Sequence, residues 1–202
     1  MQAEVETPLG TFAALEVTTE GPDDTVLDYY AEGIGLVKTV FRSEGVEITS
    51  TLREMGADAA RTQVLPFYFP NLELGKIFIK NKEIDFRTTD DTARILEEAY
   101  KAAIVSNVGE VLTANTKINR LQLNGDQQVE LDLNAAFLTE MNAGAAYEAM
   151  ILQSLVNTFG RYYGVEEVIL TIDGKPYSSG HIELQEGEPL RVNEENTEEI
   201  DV

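Results

Sequence analysis

The chain has 202 residues, with 36 Asp and Glu against 15 Lys and Arg and a formal net charge of -21. Such a field repels nucleic acid and anionic lipid at long range, and no basic stripe gives either one a grip, so nucleic-acid binding is excluded. Cysteine is absent, which removes disulfides, thiolate zinc sites and a cysteine nucleophile, while 43% hydrophobic and 25% charged residues are the proportions of a globular chain with a real core.

No run of 18 apolar residues is present, so no membrane-spanning helix is expected. The opening MQAEVETPLGTF lacks the basic and apolar regions of a signal peptide, so an exported protein would have lost that segment ahead of this sequence.

Residues 1–56 read as an antiparallel β-meander with strands at 11–19, 25–30, 35–42 and 46–53. Alternation is clearest in the last, where Val46, Ile48, Ser50 and Leu52 share one side and Glu47, Thr49, Thr51 and Arg53 the other. Gly21-Pro22-Asp23-Asp24, Gly33-Ile34-Gly35 and Ser43-Glu44-Gly45 supply the turns. Four strands with one apolar face need a cover that so short a segment hardly contains, so it reads as the C-terminal part of a truncated β-rich domain. ETPLGTF followed by YYAEGIGLVKTVF resembles the closing hairpin of a module in secreted bacterial lipoproteins.

The small-residue segment 54–60 reads as a domain boundary. Strands are expected at 62–69, where Pro66 indicates an edge or bulge, and at 75–86. Thr88-Thr89-Asp90-Asp91 then offers a hydroxyl cap with acids in the first turn of a helix reaching about residue 105. In it Ala93, Leu96, Tyr100, Ala103 and Ile104 keep helical spacing while Glu97, Glu98 and Lys101 face out. Residues 117–123 and 127–133 form a hairpin about Asn124-Gly125-Asp126. A second helix over 144–162 presents Ala145, Ala149, Leu152, Val156 and Phe159, widened by Ile151 and Leu155, and Gly164 ends it as a left-handed cap. The strand 167–172 turns back at Asp173-Gly174 into Lys175-Pro176-Tyr177.

From Pro66 to Pro176 the order of motifs resembles the GerM domain of sporulation and spore germination proteins. The residues that carry the resemblance are LPFYFP, TTDDTARILEEAY, TKINRLQLNGDQQVELDLNAAF and LVNTFGRYYGVEEVILTIDGKP. Two loops depart from the family pattern: Thr113-Ala114-Asn115 stands where a Pro-x-Gly element is usual, and Tyr163 where a Pro is common. The resemblance implies an α+β domain over 62–192, a small, largely antiparallel sheet with two helices on one face. It also implies an exported, non-enzymatic envelope protein, tethered through a lipid anchor upstream of this sequence, whose relatives include ring-building assembly proteins.

His181 follows Ser178, Ser179 and Gly180, but no nucleophile elbow accompanies it. Glu130 and Asp132 share a strand face and read as solvated, and Asp173 reads as turn chemistry rather than half of a glycan-cleaving pair. Asp23-Asp24 and Asp90-Asp91 lack the spacing of a calcium loop, and Gly33-Ile34-Gly35 lacks a phosphate-loop glycine. No catalytic, metal or cofactor residue is therefore assigned.

Tyr162, Tyr163 and Tyr177, with His181, remain as a candidate partner surface; the tyrosines read either as an exposed patch or as the closing edge of the core. Residues 193–202 read as an acidic mobile tail. The expectation is a non-catalytic extracytoplasmic protein of protein–protein interaction or assembly, with a cell-wall glycan or small-ligand module as the alternative.

Overall fold

The computed structural model describes residues 2–56 and 59–200. Ala57 and Asp58 of the expected boundary, and Asp201 and Val202 of the expected tail, lie outside the described residues. The chain divides into two compact units, Met1–Ala59 and Ala60–Val202.

The first unit is a five-stranded antiparallel meander of β1 (Gln2–Thr7), β2 (Gly10–Glu20), β3 (Asp24–Ala31), β4 (Gly35–Ser43) and β5 (Val46–Thr51), each pairing with the next. Strand β1 adds to the four expected strands; its Ala3 and Val5 alternate with Gln2, Glu4 and Glu6, and the acids obscure a short strand. Glu44 and Gly45 both have positive φ, 45° and 82°, the conformation a two-residue hairpin between β4 and β5 requires. One face buries a small cluster, Val5, Ala14, Ala31 and Val37, with Phe12, Tyr29 and Leu52 packed on it.

The second unit begins with a long hairpin, β6 (Arg61–Asn71) and β7 (Lys76–Phe86), followed by α1 (Thr92–Ala102). The cap of α1 is a carboxylate rather than the expected threonine hydroxyl: Asp91 accepts the Arg94 N–H at 3.2 Å, so the acids precede the first turn instead of lying in it. Then come β8 (Ile118–Leu123), β9 (Val129–Leu133), α2 (Ala136–Glu140), α3 (Ala145–Tyr163), β10 (Glu167–Ile172), β11 (Lys175–Pro176), β12 (Leu190–Arg191) and β13 (Thr197–Glu199). One sheet has the order β11-β10-β9-β8 with β12 beside β10; the other has the order β13-β7-β6. Pro66 therefore does sit on an edge strand.

Most pairings are antiparallel, but β9 runs parallel to β10 and β13 parallel to β7. The β9–β10 pair follows from chain length: residues 134–166 carry α2 and α3 across one face, the kind of crossover that parallel neighbours need. Val129, Leu131 and Leu133 face the helices opposite Val168, Leu170 and Ile172. From α3, Ile151, Leu152, Leu155, Val156 and Phe159 fill the same core, with Leu96 and Tyr100 of α1. Gly164 closes α3 at φ 69°, as a left-handed cap.

Three local expectations are corrected. Glu97 does not face out: it is buried and accepts from Lys101 Nζ at 2.9 Å, Lys117 Nζ at 2.8 Å and the Ile118 N–H at 2.9 Å, so it fastens α1 to β8. In the β8–β9 turn the positive φ falls on Gln127, not on Gly125, because Asn124 Oδ1 accepts the N–H groups of both Asp126 and Gln128 and shapes a wider loop. The acidic segment read as a mobile tail is tied down. Residues 197–199 pair with Ile77–Ile79, Lys76 binds Glu198 at 2.5 Å, Asn81 donates to Glu199, and Arg161 holds Glu194 at 2.5 Å. Its acids meet cations that lie far away in sequence.

Candidate functional site

In the first unit, the cross-strand register puts Leu15, Tyr30 and Leu36 side by side on the sheet face opposite the small core. Val17 continues that face along β2, and the row Thr19–Val26–Phe41–Ile48 closes it. Leu15, Leu36 and Ile48 are 55%, 48% and 57% exposed, so the face lies open. The same face also carries carboxylates: Asp28 opposite Val17, accepting the Thr39 hydroxyl at 2.7 Å, Asp24 beyond Val26, and Glu4 and Glu6 of β1 opposite Ala13 and Thr11. Isolated exposed apolar residues are ordinary, whereas a contiguous apolar row such as Leu15–Tyr30–Leu36 marks a contact surface, here with carboxylates at its margins.

The four candidate surface residues separate into two places. Tyr162 and Tyr163 end α3, their rings edge to face at 4.8 Å, with Tyr162 also 6.1 Å from Phe86. Both are half-buried against the core, and burial raises both phenols. They close the edge of the core. Tyr177 is fully buried, 6.2 Å from Phe137, and donates to Glu148 at 2.8 Å. Glu148 lies near the start of α3, so at 1.5 Å per residue this pair sits about 20 Å along the helix from Tyr162 and Tyr163. No single groove can use all three tyrosines. His181 is exposed and lines a cleft beside Tyr177 and Glu148.

The strand carboxylates are likewise assigned by their partners. Asp132 is buried rather than solvated: Oδ1 accepts from Thr171 Oγ1 at 2.5 Å and the Gly174 N–H at 2.7 Å, and Oδ2 from Asn119 Nδ2 at 3.0 Å. Burial pushes this carboxyl up, but those three donors outweigh it and hold it below the usual range. Asp173, at φ 47°, accepts the Ala135 N–H at 3.2 Å as part of its turn. Glu130 pairs with Gln122 at 2.8 Å. Among the described residues, no three acidic or histidine side chains gather as a metal site, and no helix is long and apolar enough to cross a membrane.

Residues 66–178, more than half of the chain, match the family model described as sporulation and spore germination, Germane. The chain belongs to that family. Among solved structures, the first GerMN domain of the sporulation protein GerM from Bacillus subtilis is similar at 19% identity, over 64% of this chain and 98% of that one, with a TM-score of 0.47. The tandem GerMN domains of the same protein match at 18% identity over 65% of this chain and 46% of that one, TM-score 0.48. A Clostridium perfringens protein provisionally described as a lipoprotein matches at 15% identity over 68% and 93%, TM-score 0.41. No curated protein sequence matches the chain.

Within the Germane domain, the polar half of the Leu155-Val156-Asn157-Thr158 motif is fully enclosed. Asn157 Nδ2 donates to the Asn193 carbonyl at 2.7 Å and its Oδ1 accepts the Asn193 N–H at 2.9 Å, which clamps the C-terminal strap. Thr158 Oγ1 accepts the Tyr68 N–H at 3.1 Å, and the Tyr100 hydroxyl donates to the Tyr68 carbonyl at 2.6 Å. Together they satisfy the open edge of β6 with side chains where no further strand is paired. The two loops that depart from the family pattern have local substitutes: Thr113 and Asn115 donate to Glu140 at 2.6 and 2.8 Å, and Tyr163 packs edge to face against Tyr162. Glu148 is the buried acid that sequence reasoning missed, although it stands on the same helical stripe as Ile151, Leu152 and Leu155.

Proposed function

We propose that this Germane-family protein is a non-catalytic, extracytoplasmic interaction protein of sporulation or germination that assembles through the exposed apolar row of its meander. The observation that carries the reading is the row Leu15–Tyr30–Leu36, exposed and apolar on a chain of net charge -21. Burying three large side chains on each of two copies supplies several kcal/mol toward association, set against the repulsion of the carboxylates of Glu4, Glu6 and Asp28 on the same face. A second support comes from the carboxylates: Glu97, Asp132 and Asp173 each accept a backbone N–H and so hold the fold. The extracytoplasmic placement, with a lipid tether upstream of this sequence, rests on the family resemblance. Light scattering across a concentration series tests the assembly: the weight-average mass rises with concentration, whereas a constant monomer mass argues against it.

A further inference from the structure

The cleft beside Glu148 has the makings of a binding site independent of the meander face. Glu148 is only 2% exposed, and its Oε1 is fully engaged, accepting the Tyr177 hydroxyl at 2.8 Å and the Ser179 hydroxyl at 2.5 Å. Its Oε2 receives no hydrogen bond from any described residue, yet it is not a sealed unsatisfied atom. Glu148 is also among the residues that line a cleft of about 330 Å³. A carboxylate so deeply buried is costly unless donors complete its lone pairs, and here one oxygen is left for a donor from outside.

The walls define what that donor is attached to. Leu138, Met141 and Ala143 present apolar surface, with Asn142, Ser179 and His181 as the polar lining. One free carboxylate oxygen offers no fork for a guanidinium and no ligand set for a metal, since no group of three candidate ligands exists among the described residues. It suits a compact point charge. The volume lies at the low end of small-ligand sites, the scale of one side chain rather than a cofactor. A net charge of -21 draws cations toward the molecule.

We infer that this cleft binds a primary ammonium carried on an aliphatic stem, a lysine-type side chain, with the charge on Glu148 Oε2 and the stem against Leu138 and Met141. The ligand is either a free amine or a lysine displayed on a polypeptide, and the two sources share this chemistry.

The test is a two-dimensional amide NMR titration of the full chain with N-acetyl-lysine N-methylamide, against the norleucine analogue, which has the stem without the charge. Saturable shifts confined to residues 138–143, 148 and 177–182 are expected for the lysine compound, with at least tenfold weaker binding of the norleucine one. Glu148→Gln, which keeps an acceptor for Tyr177 and Ser179, is expected to weaken lysine binding at least tenfold. Should that variant fail to fold, Gly180→Leu serves instead: a Cβ there meets nothing within 4 Å, and the added side chain crowds the cleft while Glu148 stays intact. A blocked acetyl-Gly-Lys-Gly-amide binding more tightly than the single amide supports the site with a polypeptide lysine as its ligand; equal affinity supports it with a free amine. Absence of saturable shifts, equal binding of the norleucine analogue, or wild-type affinity in the folded variants would overturn the inference.

Discussion

Asn157→Ala isolates the clamp on the C-terminal strap. The side chain is fully buried and makes three bonds: it donates to the Asn193 carbonyl at 2.7 Å, accepts the Asn193 N–H at 2.9 Å and accepts Gln153 Nε2 at 2.8 Å. Gln153 keeps its second acceptor, the Arg191 carbonyl, and Asn193 itself is exposed, so water recovers part of what is lost. Counting the two backbone bonds at about 1 kcal/mol each gives a destabilisation of about 2 kcal/mol. In a urea titration of the second unit, the midpoint falls with an unchanged slope. Hydrogen exchange adds a local readout: the Ile77 N–H bonds to the Asn196 carbonyl and the Ile200 N–H to the Ile79 carbonyl, so both exchange faster once the strap loosens. A change below about 0.5 kcal/mol together with wild-type exchange at Ile77 and Ile200 refutes the clamp, since surface substitutions fall in that range.

Leu155→Ala, at a fully buried position of α3, is expected to cost about 2–5 kcal/mol, read as a fall in thermal midpoint; a shift of under one degree contradicts the packing. Gly164→Ala places a Cβ at φ 69° and costs about 1 kcal/mol in the same melt. Asp132 gives a pH signature. Its folded pKa lies below the unfolded value, so its stabilisation is complete above about pH 5 and fades as pH falls through the folded value. The gap in stability between wild type and Asp132→Asn is therefore widest near neutral pH and narrows below about pH 4, and a gap that widens in acid reverses the sign of this reasoning.

Helices α1 and α3, the β8–β9 hairpin, the Gly164 cap and the Asp173-Gly174 turn were legible because each rests on local pattern, apolar spacing or a residue that tolerates positive φ, whereas α2, five residues long, is too short to show such a pattern. What escaped depended on partners far along the chain. Glu97 lies within the apolar spacing of α1 between Ala93 and Tyr100, and Glu148 within that of α3; an acid on a core stripe is a readable sign of a buried carboxylate, though it does not name the donors. Lys117 and Tyr177, which supply them, are 20 and 29 residues away. The strand 197–199 could not be read from its composition because its order comes from Lys76, Asn81 and the free edge of β7. The tyrosine surface was divided by geometry alone: the length of α3 sets Tyr162 and Tyr163 apart from Tyr177.

Assembly through the meander face is tested most directly by sedimentation equilibrium of the wild-type chain beside Leu15→Glu/Leu36→Glu, which places charge in the middle of the exposed row while leaving the small core of Val5, Ala14, Ala31 and Val37 untouched. The wild type is expected to fit a self-association with mass above the monomer, and the double variant to remain monomeric with an unchanged circular dichroism spectrum and melt. A wild type that stays monomeric at millimolar concentration, or a folded double variant that associates as strongly, contradicts the account.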